Sequence, residues 1–117
     1  MDRFRPQAFL PLTPVAFEIL LALAEGEQHG YSIMREVDRR SSGAVTLHPG
    51  TLYRALARLL ESGLIEELDE RPNPAEDDER RRYYRMTHRG LEVARAEAQR
   101  LESQLSSARE RLLGARA

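Results

Sequence analysis

Leu52, Leu56, Leu59 and Leu60 recur at i, i+4, i+7 and i+8. This is the stripe by which a helix buries one side against a small core. Pro49 suits the first helical position, where its missing N–H has no intrahelical partner in any case. Gly63 stands where a left-handed residue would end the helix. Thr51, Arg54 and Arg58 fall on the opposite face, with Tyr53 and Ala57 beside them. A small hydroxyl, an aromatic and two arginines facing outward suit a nucleic-acid groove. The alternative is an ordinary amphipathic surface helix, and the chain that follows counts against it.

Two β-type segments come next, Leu64 to Leu68 and Arg82 to Met86, the second aromatic and alternating in polarity. Between them, Asp69 to Arg81 is almost all polar and holds Pro72, Asn73 and Pro74, which predicts a hairpin loop. Helix, strand, charged loop, strand is the layout of a winged helix-turn-helix, which needs two earlier helices. Thr13-Pro14 announces the first, a cap residue followed by proline. It runs through Phe17, Ile19, Leu20, Leu21 and Leu23 to Gly26, and its apolar surface is wide enough to be covered on two sides. The second begins near Gly30-Tyr31 with Tyr31, Met34 and Val37 on one face, and Ser41-Ser42-Gly43 ends it. Arg39 and Arg40 read as solvated helix-end charges. Val45-Thr46-Leu47 is expected to pair as a third, minimal strand beside the wing.

The last segment changes period. Leu91, Ala94, Ala98, Leu101, Leu105, Ala108 and Leu112 are separated alternately by three and four residues, an a/d heptad pattern. Thr87 is a plausible N-cap, without a capping box because Gly90 and not an acid stands at the third helical position. Such a helix is roughly 40 Å long at 1.5 Å per residue. One reading folds it back on its own core. The reading preferred here packs it against a second subunit, with Phe17 and Leu21 of the first helix completing the seam. The expected organisation is mainly α with a small β-wing. Residues 1–86 form the DNA-binding domain, with 1–12 as an N-terminal arm, and 87–117 form a long C-terminal dimerisation helix.

Composition adds limits. With 41% hydrophobic residues the 117-residue chain supports a modest core, and no apolar run approaches the ~20 residues that span a membrane. No secretory signal is visible and cysteine is absent, so a cytoplasmic location is expected. The net charge of −1 is distributed unevenly. Residues 66–79 hold eight acids and one arginine, whereas residues 80–89 hold five arginines and no acid. One face can therefore be basic on a nearly neutral molecule. The acidic loop tip is expected to stay in solvent while the arginines at its second foot meet phosphate.

Catalysis finds little support. His29, His48 and His88 accompany many carboxylates, but there is no nucleophile elbow, phosphate loop or His-x-x-x-His pair. Soft-metal sensing by a winged helix relies on thiolates, and there are none. The expectation is a protein that is not an enzyme and holds no metal or cofactor. A winged-helix module acting only through protein–protein contacts is the alternative.

Several motifs taken in order carry a resemblance: Leu12-Thr13-Pro14, His29-Gly30-Tyr31, Pro49-Gly50-Thr51-Leu52-Tyr53, Gly63-Leu64-Ile65, Arg81-Arg82-Tyr83-Tyr84 and Thr87-His88-Arg89-Gly90. Over roughly residues 12–113 the chain resembles the PadR family of bacterial transcriptional regulators, in its branch with a short C-terminal helix. The resemblance implies a homodimeric repressor that binds a palindromic operator in double-stranded DNA and is released by a small aromatic or drug-like effector. Thr51, Tyr53, Arg54 and Arg58 would lie on the recognition helix, with Gly50 allowing close approach to DNA. Tyr31 and Ser32 would meet a phosphate at the start of the second helix. Arg81 and Arg82 would reach phosphates or the minor groove from the wing. For Tyr31 a core position is the competing reading, and of Tyr83 and Tyr84 alternation sends one inward without saying which. The departures from the family pattern are the acidic wing loop and the absence of tryptophan.

Overall fold

The computed structural model describes residues 3–68 and 82–114. Arg81 and the acidic stretch before it lie outside the described residues. A short 3-10 turn at Pro6–Phe9 precedes α1 (Pro14–Leu23), β1 (Gln28–His29), α2 (Gly30–Arg40), α3 (Pro49–Glu61), β2 (Ile65–Glu67), β3 (Tyr83–Met86) and α4 (His88–Arg111). Three helices and a three-stranded antiparallel sheet of order β1-β3-β2 enclose one core, and α4 runs out from it. This is a winged helix-turn-helix with a long C-terminal helix.

Local chemistry sets most of the boundaries. Thr13 Oγ1 accepts the Ala16 N–H at 3.1 Å, with Pro14 opening α1. Thr87 Oγ1 accepts the Gly90 N–H at 3.0 Å and donates to the Gly63 carbonyl at 2.7 Å. That single hydroxyl starts α4 and pins it to the end of α3. Gly63 has φ +79°, and Leu64 N–H donates to the Leu59 carbonyl at 3.0 Å, the reversed ending anticipated for α3. Leu52, Leu56 and Leu59 are buried as their spacing requires, against Ile19, Leu20, Leu23, Ile33 and Val37.

Three expectations are corrected. The third strand is Gln28–His29, paired with Tyr84 and Tyr83, and not Val45–Leu47. The Ser41 hydroxyl ties up the Val45 backbone at 3.0 Å, closing a turn that holds Leu47 in the core without a strand. The buried face of α2 carries Gly30, Ile33 and Val37, so Tyr31 turns outward and is no core aromatic. Arg40 is not a free helix-end charge, because it reaches Glu18 at 2.6 Å and Glu36 at 2.9 Å and thereby joins α1 to α2. The open choice on the wing is also decided: Tyr84 is buried and Tyr83 half-buried, its ring edge-on to His29 at 5.2 Å.

Helix α4 serves two purposes along its length. Val93, Ala94 and Glu97 of its first half are buried against the chain's own α1 and N-terminal turn. Ala98 is exposed, Leu91 and Leu101 are half-buried, and Leu105 and Leu112 are 46% and 76% exposed. Folding back on the core is thus the arrangement of the first half only.

Glu97 is 2% exposed, off the heptad, and gripped by Arg100 at 2.7 and 2.8 Å. The Arg100 hydrogen bond holds the Glu97 carboxyl below its ordinary value against the opposing effect of burial, and the Leu12 backbone N–H adds to it. A depressed carboxyl contributes stability that is present above the unfolded value and lost as pH falls through the folded one. Glu97→Gln is therefore expected to be less stable than the parent at neutral pH, with the gap closing below the usual glutamate range of about 4.3. Urea midpoints measured across that range check this. A gap independent of pH would rule it out.

Candidate nucleic-acid interface

The outward face of α3 is built by subtraction. Its leucines go to the core, which leaves Thr51 half-buried and Gly50, Tyr53, Arg54 and Arg58 exposed. Tyr53 is 52% exposed, large for an aromatic with no covering element. Neither Arg54 nor Arg58 makes an ion pair with a described carboxylate. His48 is the N-cap of α3 but makes no side-chain hydrogen bond to it, Pro49 opens the helix, and its first turn contains no acid. The positive end of the helix therefore has no acid in its own first turn to neutralise it.

The start of α2 adjoins this face. A Cβ on Gly30 would sit 2.8 Å from the Tyr53 hydroxyl and 3.2 Å from Leu52 Cδ2, so the bare glycine is what lets Tyr53 lie across the α2 terminus. Tyr31 follows directly, 56% exposed, with the Arg35 guanidinium 5.5 Å over its ring. Ser32 is differently placed. Its backbone N–H donates to His29 Nδ1 at 3.3 Å and its hydroxyl donates to the His29 carbonyl at 2.9 Å. Both Ser32 donors are spent on capping α2. Nothing in the charge pattern singles out Arg35, although its position four residues after Tyr31 is the helical spacing that brings two side chains together.

The root of the wing supplies the third edge. Burial raises the Tyr84 phenol above its ordinary value, Glu67 and Tyr53 add to this, and Arg82 opposes it, so these four groups are neighbours. Arg82 is exposed and lies 3.9 Å from Glu67. The other described arginines of the basic run are engaged elsewhere. Arg85 pairs with Glu66 across the sheet at 2.7 Å, and Arg89 stacks on Phe4 at 4.7 Å. Local charge counting overstated the basicity of the wing, because cross-strand pairing brings an acid beside Arg85. Thr51, Tyr53, Arg54, Arg58, Tyr31 and Arg82 lie around one surface, and Arg81 falls outside the described residues.

The sequence profile of the Transcriptional regulator PadR-like family matches residues 19–96. The chain belongs to this family. The match runs from α1 into the first half of α4, so it includes every element of the winged helix and all the surface just described. The PadR-like chain shares 38% identity over 80 residues with an uncharacterized 37.1 kDa protein in transposon TN4556 of Streptomyces fradiae. That alignment takes in 68% of this chain but only 21% of the relative's length. A transcriptional regulator from Clostridium thermocellum has a similar structure, with TM-score 0.69 and 26% identity over 84% of this chain and 89% of that one. A PadR family regulator from Clostridium difficile R20291 shares the fold at TM-score 0.70 and 24% identity, over 87% of this chain and all of that one (100%). The chain has the winged-helix fold of this family, which is one of transcriptional regulators and not of enzymes. No described helix is long and apolar enough to cross a membrane.

Proposed function

We propose that this PadR-like chain is a homodimeric, cytoplasmic repressor that binds a palindromic operator and is released by a small-molecule effector. The observation that carries the DNA half of this reading is the outward face of α3, with Arg54 and Arg58 exposed and without carboxylate partners among the described residues, beside an acid-free first turn. On this reading residues 1–86 read the operator and residues 87–117 join the subunits. Arg54 and Arg58 are about one turn apart, so at least one meets a guanine edge in the major groove. Gly50, Thr51 and Tyr53 support the docking, and Arg82, with Arg81, touches the backbone from the wing.

The test is protection mapping of duplexes selected from a random pool, followed by substitution. Arg54→Ala or Arg58→Ala is expected to cost about 1–3 kcal/mol and to relax preference at one base pair in each half-site. Unchanged selectivity in both variants would remove α3 as the reading helix. Absence of salt-dependent duplex binding by the parent would instead favour a protein-binding module, since phosphate neutralisation makes affinity fall with salt.

The effector seat belongs to the same proposal and is placed between subunits. Phe9, Phe17 and Leu21 remain partly uncovered in one chain and would face that space with Ala98 and Ala108 of α4, whereas Ala94 is taken by the chain's own core. A ligand there would alter the distance between recognition helices, which half-sites ~34 Å apart tolerate poorly. It shifts that balance only as far as it binds the two states differently. A liganded structure with the effector enclosed by a single chain away from α4 would overturn the placement.

A further inference from the structure

The geometry points to Arg35 as the residue of α2 that holds a DNA backbone phosphate, with the Tyr31 ring as the platform that positions it. This rests on the DNA-binding reading above and refines it. At a helix start beside a nucleic-acid surface, the first suspects for a phosphate are the serine hydroxyl and the first backbone N–H groups. Here the Ser32 N–H and its hydroxyl proton both go to His29, at 3.3 and 2.9 Å. What remains free is the pair beside them. Tyr31 is 56% exposed, although burying an aromatic is normally favourable, and the Arg35 guanidinium lies 5.5 Å over its ring.

Stacking on an aromatic face restrains a long, flexible cation without consuming its N–H donors, which stay in the ring-parallel plane or at its edge. Among the described residues Arg35 makes no ion pair, in contrast to Arg40 on the same helix, which is held by Glu18 and Glu36. Gly30, immediately before Tyr31, lies under the Tyr53 hydroxyl, so the pair continues the surface of α3. Asp38, one turn after Arg35, and Arg39 are also exposed, and no ion pair joins Arg35 to Asp38. A planar guanidinium with its fork open is suited to bidentate contact with phosphate oxygens and carries no base information.

Titrations of fluorescein-labelled duplex against salt test this, using a duplex selected by the parent protein and one of scrambled sequence. For Arg35→Ala the slope of log affinity against log salt is expected to fall by about 0.9, with a loss on the order of tenfold near 0.1 M salt, alike on both duplexes. Tyr31→Leu, which removes the platform, is expected to lose more affinity than Tyr31→Phe, which keeps the ring. Both side chains are exposed, so helical circular dichroism should be unchanged in every variant. An unaltered slope in Arg35→Ala, with the parent binding normally, overturns the phosphate role. Equal losses in Tyr31→Phe and Tyr31→Leu would make the hydroxyl the contact and overturn the platform. Failure of the parent to bind either duplex would bring down the DNA reading itself along with this inference.

Discussion

Leu101→Asp together with Leu105→Asp is expected to convert the protein to a folded monomer that no longer holds its operator. The reason is the change of environment halfway along α4. Up to Glu97 the helix packs on its own chain, and beyond it the heptad continues as Leu101, Leu105, Ala108 and Leu112, with Leu105 and Leu112 left exposed among the described residues. Burying a leucine stabilises by roughly 1.5–3 kcal/mol, and a two-fold seam uses each position twice. Because Leu101 and Leu105 are already partly covered in one chain, about half of that per leucine applies, and four leucines lost amount to roughly 3 kcal/mol at the low end, about two orders of magnitude in the dimer constant. Four carboxylates placed in the seam add to the loss. Because Leu105 is already 46% exposed in one chain, the fold itself should survive. A monomer presents one recognition helix where the proposed operator has two half-sites, so binding falls with dimerisation. Sedimentation of parent and variant decides the matter. A parent that sediments as a monomer at micromolar concentration would refute the seam.

The second large effect lies at the other end of α4. Gly90→Ala is expected to destabilise the fold by about 3 kcal/mol, the upper end of what overpacking costs. A Cβ at this position would overlap the Leu64 carbonyl oxygen and crowd Met86 Cγ at 2.8 Å. The Leu64 carbonyl cannot retreat freely, because it accepts the Thr87 N–H at 3.1 Å in the same junction that caps α4. Alanine's better helix propensity, worth up to about 1 kcal/mol, is too small to offset the clash. Gly50→Ala is the matched control, since its Cβ would meet only Arg54 Nη1 at 3.5 Å. That variant should be neutral or slightly more stable. Urea unfolding of the two compares them directly, and a Gly90→Ala protein as stable as Gly50→Ala would show that the junction yields.

Helix ends and the exposed face of α3 were legible in the sequence because both depend on neighbours within a few residues. Thr13-Pro14, Pro49 with Gly63, and Thr87 act through caps and backbone conformation over three or four positions, and the structure uses each as expected. The leucine spacing of α3 likewise needs no knowledge of what it packs against. Misreadings occurred where a distant partner decides. Val45–Leu47 has strand-like alternation, but the edge of β3 was taken by Gln28–His29, which the fold of α1 and α2 carries there. Tyr31, Met34 and Val37 make a fair apolar face in isolation, yet the packing of α2 rotates Ile33 inward and Tyr31 outward.

The same division holds for the functional surfaces. Local pattern by itself determined a winged helix with an exposed cationic face on α3 and a long heptad helix behind it, since periodicity and capping are properties of contiguous residues. Only the tertiary structure decided that Tyr84 and not Tyr83 enters the core and that Glu66 neutralises Arg85. It also decided that α4 is buried up to Glu97 and increasingly exposed from there to Leu112. Each of these outcomes turns on which groups from remote parts of the chain arrive within a few ångströms of one another, and burial and hydrogen bonding are settled only at that range.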